Sequence, residues 1–191
     1  MPITVVPYSD EWPAAFGRVA AALRSALAGV VDADVEHVGS TSVPGLAAKP
    51  VLDVDVIVAP DDVRAAVRAV ESVGYVHRGD LGVTGREAFH APDDDPVRHV
   101  YVCVRGTLNV RNHLAVRDVL RRRPDLRDEY GAVKLALAAD PVMDIVTYVA
   151  RKSGVLQRVL AEAGLTDAER YEILRLNTDP EPATSPTGAG D

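Results

Sequence analysis

The sequence contains a single cysteine, Cys103, so no disulfide can form within the chain. That suits a reducing compartment, and a cytoplasmic location is expected. No apolar run approaches the ~20 residues of a membrane span. The N-terminus, MPITVVPYSDEWPAAF, has no basic segment followed by an apolar one. Neither a secretory signal nor a membrane anchor is expected. Positive charge is also short: the net charge is −7. Without a basic field, general binding to nucleic acid or to an anionic membrane is disfavoured, while a small phosphate pocket remains open. Lysine is scarce. Among 21 Lys and Arg residues, only Lys49, Lys134 and Lys152 are lysines. With the abundance of Ala, Val and Asp, this pattern fits a GC-rich genome and carries no functional signal of its own. There is no internal repeat and no Gly-x-x-x-x-Gly-Lys-Ser/Thr phosphate loop.

What is present suffices for one domain. At 191 residues, 47% apolar and 26% charged, the chain resembles an ordinary globular protein with an ample core. Residues 9–31 carry Phe16, Val19, Leu23, Leu27 and Val30 at helical spacing, with Ser9 or Asp10 as cap and Pro13 in the first turn. DVEHVGS reads as a short strand ending in a turn, STSVPGLAAKP as a loop or one helical turn, and VLDVDVIVA as a strand. Pro60-Asp61-Asp62 opens a helix that Gly74 stops. A short hairpin (YVHRGDLGVTGREAFHAP) and a strand (RHVYVCV) follow, with RGTLNVRNH leading out as a further short strand. From Asn112 the pattern is helical, with a break at Pro124, Asp125 as cap of the next helix, and a Thr166/Glu169 capping box before the last. Residues 1–176 are expected to form one domain, its helical part spanning about 112–176. Residues 177–191 lack large apolar side chains and are expected to be a disordered tail. The fold class expected is α/β (α+β), a mixed sheet flanked by helices with further helices at the C-terminus.

The chemistry concentrates in EHVGSTSVPGLAAKPVLDVDVIV, residues 36–58. In a strand, side chains alternate between faces. Asp53, Asp55 and Ile57 therefore share one face, and Leu52, Val54, Val56 and Val58 the other. Two carboxylates roughly 6–7 Å apart at Cα are costly unless they meet cations. Hard oxygen ligands favour Mg²⁺, which binds one or two carboxylates plus substrate phosphates. The Gly39-Ser40-Thr41-Ser42 turn supplies the complement: Gly39 allows close approach, Ser40 and Ser42 offer small hydroxyls, and Lys49 adds a cation. Together they describe a nucleoside triphosphate held through Mg²⁺. Packing offers a plainer account: the Asp pair salt-bridged to arginines, the serines as turn caps.

This stretch closely resembles the signature of the GrpB family, small bacterial proteins with a nucleotidyltransferase-like fold. RHVYVCV, NHLAVRDVLRRRP, YGAVKLALA and YVARK resemble later landmarks, so the likeness covers most of residues 3–160. It implies that Gly39 and Ser40 contact nucleotide phosphates, that Asp53 and Asp55 hold the metal, and that an NTP donates a nucleotidyl group to a small acceptor. The superfamily usually adds a third carboxylate on a neighbouring strand. RHVYVCV presents His99, Tyr101 and Cys103 instead, where relatives often look like His-x-His. Three outcomes stay open. His99 acts as the base, Glu87 arrives from the hairpin, or the chain is a non-catalytic nucleotide- or phosphometabolite-binding module. Arg86, in the hairpin, is a further candidate triphosphate clamp. His37 is equally a site or a packing residue. His113 and Arg117, four apart, share one helix face. Arg117, Lys134 and Lys152 are either directed at the site or, as the plainer expectation, in ordinary salt bridges; Arg121–Arg123 are expected at a solvated helix end and Cys103 in packing.

Overall fold

The computed structural model describes residues 4–140 and 142–178. The tail expected over 177–191 falls outside them from residue 179 onward. Helix α1 spans Glu11–Ala26 and buries Val19, Ala20 and Leu23 along the stripe its spacing announces. Strand β1 (Asp34–Val38) ends at Gly39, and a single 3₁₀ turn covers Ser40–Ser42. Strand β2 (Leu52–Val58), helix α2 (Val63–Glu71), strands β3 (Val76–His77) and β4 (Arg86–His90), and strand β5 (Arg98–Val104) follow. The C-terminal part holds α3 (Leu108–Arg122), α4 (Pro124–Ala138), α5 (Ile145–Glu162) and α6 (Asp167–Thr178).

The five strands form one mixed sheet in the order β1-β2-β5-β4-β3. β2 lies antiparallel to β1 and parallel to β5. Its apolar set, Leu52, Val54, Val56 and Val58, packs with Trp12, Leu23, Val70, Phe89, Val100 and Val102 into the main core beneath α1 and α2. A second core, with Val43, Leu46, Leu120, Leu126, Tyr130 and Val159, joins α3, α4 and α5 to the loop after the 3₁₀ turn. The acid-bearing face of β2 meets this helical part, and the cleft between them is the candidate site.

Two local expectations need correction. RGTLNVRNH is not a strand: α3 begins at Leu108, four residues before the expected start. The reason is tertiary. Val110, β-like by composition, buries itself against Ile57 and Cys103, and that contact outweighs local preference. Asp125 is not a cap; Pro124 opens α4, and Asp125 sits in its first turn paired with Arg123. Arg121 is exposed at the end of α3, as expected, and its guanidinium also donates to the Ser42 carbonyl. Cys103 is fully buried, as expected of a packing residue. The capping box forms, with Thr166 N–H donating to Glu169 at 2.9 Å and Glu169 N–H donating to Thr166 Oγ1 at 3.3 Å.

Candidate functional site

The β1–β2 register sets Val38 opposite Asp53 and Glu36 opposite Asp55. The turn leaving β1 therefore stands beside the first carboxylate. Gly39 has φ +69°, and a Cβ there would lie 2.2 Å from Asp53 Oδ2, so only glycine lets the backbone close on this group. The turn's hydroxyls then divide. Ser42 Oγ donates inward to the Gly39 carbonyl at 2.6 Å. Thr41 Oγ1 bonds His37 Nε2 at 3.0 Å. Ser40 turns to the cleft, where its Oγ accepts from Lys134 Nζ at 2.8 Å. Of the two serines singled out by sequence, Ser40 faces the cleft and Ser42 is engaged in holding the turn.

Each carboxylate has an imidazole partner. Asp53 Oδ1 lies 3.1 Å from His99 Nδ1, at the open rim. The hydrogen bond to the Asp53 carboxylate raises the His99 pKa against partial burial and the nearby Lys49 and Arg86. Asp55 is 0% exposed and lies 2.7 Å from His113 Nδ1. Burial opposes charge on His113, but the Asp55 carboxylate outweighs it and the pKa is raised. Asp55 Oδ1 is buried without a hydrogen-bond partner. The sequence pattern did not reveal His113's partner. Its i, i+4 relation to Arg117 was visible, but the strand it meets lies 58 residues away in the chain.

Lys49 joins the site as expected, and Lys134 and Lys152 join it rather than forming salt bridges. Lys49, Lys134 and Lys152, every lysine in the chain, line one cavity of about 140 Å³ with Ser40, Asp53 and His99. Lys134 is 2% exposed, and burial, then the neighbouring Lys152, push its pKa down to about 7. Burial and Lys152 also lower Lys49, with Asp53 opposing, and burial lowers Lys152. The Tyr148 ring lies 5.1 Å from Lys49 Nζ and 5.6 Å from Lys152 Nζ, a face that favours cations. Neither Lys134 nor Lys152 forms the expected salt bridge among the described residues. A second space of about 170 Å³ runs from Gly39, Ser40 and Asp53 to Asn112 and His113.

Other candidates fall elsewhere. Arg86 stacks over Tyr101, 4.7 Å from the ring centre, and lines a different cavity from the lysines. His37 is on the opposite sheet face, stacked on Phe16 at 4.6 Å, with burial taking its pKa to about 4. Glu87 pairs with Val102, not with a site-face residue, and binds His77 at 2.6 Å. It cannot be the third acid. β5 places His99 beside Asp53 and Tyr101 beside Asp55. The acid that does flank Asp55 is Glu36 on β1, held by Arg117 at 2.5 Å.

The sequence model of the family described as GrpB protein matches residues 2–162. This chain belongs to the GrpB family. A UPF0157 protein of Halalkalibacterium halodurans is 37% identical to it over 86% of this chain and 84% of that protein. The crystal structure of the conserved protein GrpB from Enterococcus faecalis superposes with a TM-score of 0.72 at 33% identity, over 84% of this chain and 96% of that one. The solved GLD-2/RNP-8 complex matches at TM-score 0.55 and 14% identity, over 96% of this chain and 73% of that one, a likeness of fold alone. This GrpB chain has the nucleotidyltransferase-like fold, a mixed sheet flanked by helices. No helix among its described residues is long and apolar enough to cross a membrane.

Proposed function

We propose that this GrpB protein binds a nucleoside triphosphate with Mg²⁺ in the cleft and transfers a nucleotidyl group to a small acceptor. One observation carries the reading: Ser40, three lysines and Asp53 converge on a single small cavity. A lysine as buried as Lys134 is costly and is rarely kept without an anion to meet. In this reading the lysines and Ser40 bind phosphate oxygens, and Gly39 lets the backbone approach them. Asp53 and Asp55 hold the metal. The fit is supported by the unpartnered Asp55 Oδ1 and the accessible Asp53 carboxylate, two hard oxygen donors on one strand face. No group of three metal-binding side chains exists among the described residues, so the phosphates and water would complete the shell. Bound there, Mg²⁺ would neutralise charge on the reacting phosphate.

A second reading, binding without transfer, has its own observation. β5 offers Tyr101 where a carboxylate is expected, and Glu36 is committed to Arg117. Thermal shift with each NTP, with and without Mg²⁺, on the wild type and Asp53→Asn, tests both. Stabilisation that needs Mg²⁺ and is lost in the variant is expected. No nucleotide-dependent stabilisation at all would sink both readings. Pyrophosphate release with a panel of hydroxyl acceptors then separates transfer from binding.

A further inference from the structure

Four buried side-chain polar atoms among the described residues have no hydrogen-bond partner: Asp55 Oδ1, Arg86 Nε, Asn112 Oδ1 and Arg170 Nε. Such groups are rare and call for a ligand or water. Two of them, on Arg86 and Asn112, belong to the wall of one cavity of about 470 Å³. The third, on Asp55, lies behind His113, which lines the same cavity and bonds the other Asp55 oxygen. The cavity is enclosed by the start of β4, the first turn of α3 and helix α6.

Its position is as informative as its walls. The middle space of about 170 Å³ shares Asn112 and His113 with it, and Ser40, Asp53 and Lys152 with the lysine cavity. The three spaces form a row, with the carboxylates between the lysine end and the Arg86 end. A phosphate chain occupying the lysine end leaves the far end for a second molecule.

We infer that this larger cavity is the acceptor subsite and takes a small organic anion, a carboxylate or phosphate seated on Arg86. The word acceptor rests on the nucleotide reading above; the anion site does not. Arg86 stacks its face on Tyr101, makes a 3.4 Å contact to the Asp80 carbonyl and forms no salt bridge among the described residues, so its charge has no carboxylate partner and can meet an anion. The N-terminal turn of α3, a 15-residue helix, faces the same space and adds a positive dipole end. Asn112 contributes an unpaired acceptor, suited to a hydroxyl or amine on the ligand. Leu108 and Ile173 supply an apolar wall for its body, while Glu172 and Arg175 stand at the rim with cancelling charge. Helix α6 lies beyond the span matched by the family model, residues 2–162, so this wall belongs to the chain's own C-terminus.

The test is NMR on the full isotope-labelled chain, titrated with 3-hydroxybenzoate, 3-hydroxyphenyl phosphate and neutral 3-hydroxybenzyl alcohol, each carrying a hydroxyl for Asn112. Saturable shifts of the Arg86 Nε–H and the Ile173 methyls are expected with an anion and not with the alcohol. The stronger of the two anions tells whether carboxylate or phosphate is preferred. Arg86→Gln should weaken probe binding about tenfold or more, and Asn112→Leu, which removes the unpaired amide, should weaken it without unfolding the chain. Absence of saturable shifts, shifts confined to the lysine cavity, or binding indifferent to both variants would overturn the inference. A parallel Mg²⁺–NTP titration keeps the two readings apart. Probe binding without nucleotide binding removes the nucleotide reading and leaves the anion site. Loss of nucleotide binding in Arg86→Gln would assign the cavity to the nucleotide and overturn the acceptor subsite.

Discussion

A lysine 2% exposed, with a hydroxyl as its hydrogen-bond partner, works against the folded state. Lys134 holds its proton up to pH about 7 when folded and to about 10.5 when unfolded. Between those values the unfolded chain binds more protons, so stability rises with pH; below about 7 the penalty is complete. From pH 7 to pH 9 the wild type should gain about 2 kcal/mol from this residue alone. Lys134→Met should therefore be more stable than the wild type at pH 6.5, with the difference shrinking towards pH 9. It should also lose most of the nucleotide-dependent thermal shift. Urea unfolding at the two pH values checks the first part. A variant less stable than the wild type at pH 6.5 would contradict it. Gain of stability with loss of ligand response is the pattern of a residue kept for function.

At the scale of elements, α5 brings Tyr148 and Lys152 to the cleft, and its start is fixed by Asp144. That carboxylate accepts from Thr147 N–H at 2.9 Å and from Thr147 Oγ1 at 2.6 Å. Asp144→Ala should cost about 1 kcal/mol in urea unfolding and weaken the response to nucleotide, because the first turn carrying Tyr148 frays. A loss of stability with the full response would show that α5 is positioned by its core contacts alone. This cap escaped the sequence reading because the Thr166 box announces itself by spacing, whereas Asp144 sits within an otherwise uniform apolar run. The alternation Leu52–Val58 was legible since period two has one meaning in a half-buried strand. The Gly39 turn and the Asp pair were legible because 14 residues of chain and one strand pairing join them. Lys134 and Lys152 were not: YGAVKLALA and YVARK stand out by resemblance, but these helices approach Ser40 through long-range packing that their spacing does not announce.

For the molecule as a whole, the site exists because two cores meet across a cleft rather than merging. The sheet core under α1 and α2 fixes β2, and the helical core fixes Lys134 and Lys152. α6 is attached to the second body through Ile173 against Leu156 and Leu160, and through Arg111 with Glu169 at 2.5 Å. A chain ending at Gly164 should melt several degrees lower, since Leu160 loses its cover. It should still respond to Mg²⁺–NTP, because no α6 residue lines the lysine cavity. Loss of that response in a folded truncation would mean that α6 supports the nucleotide end as well. The gathering of every lysine in one place has a practical meaning. Apart from the α-amino group, the chain carries no primary amine outside this pocket, and its thiol is buried. A reagent that acylates amines, which on most proteins scatters over the whole surface, would here report on a single location. Protection of Lys49, Lys134 and Lys152 from labelling would thus read out occupancy directly, without knowing what the occupant is.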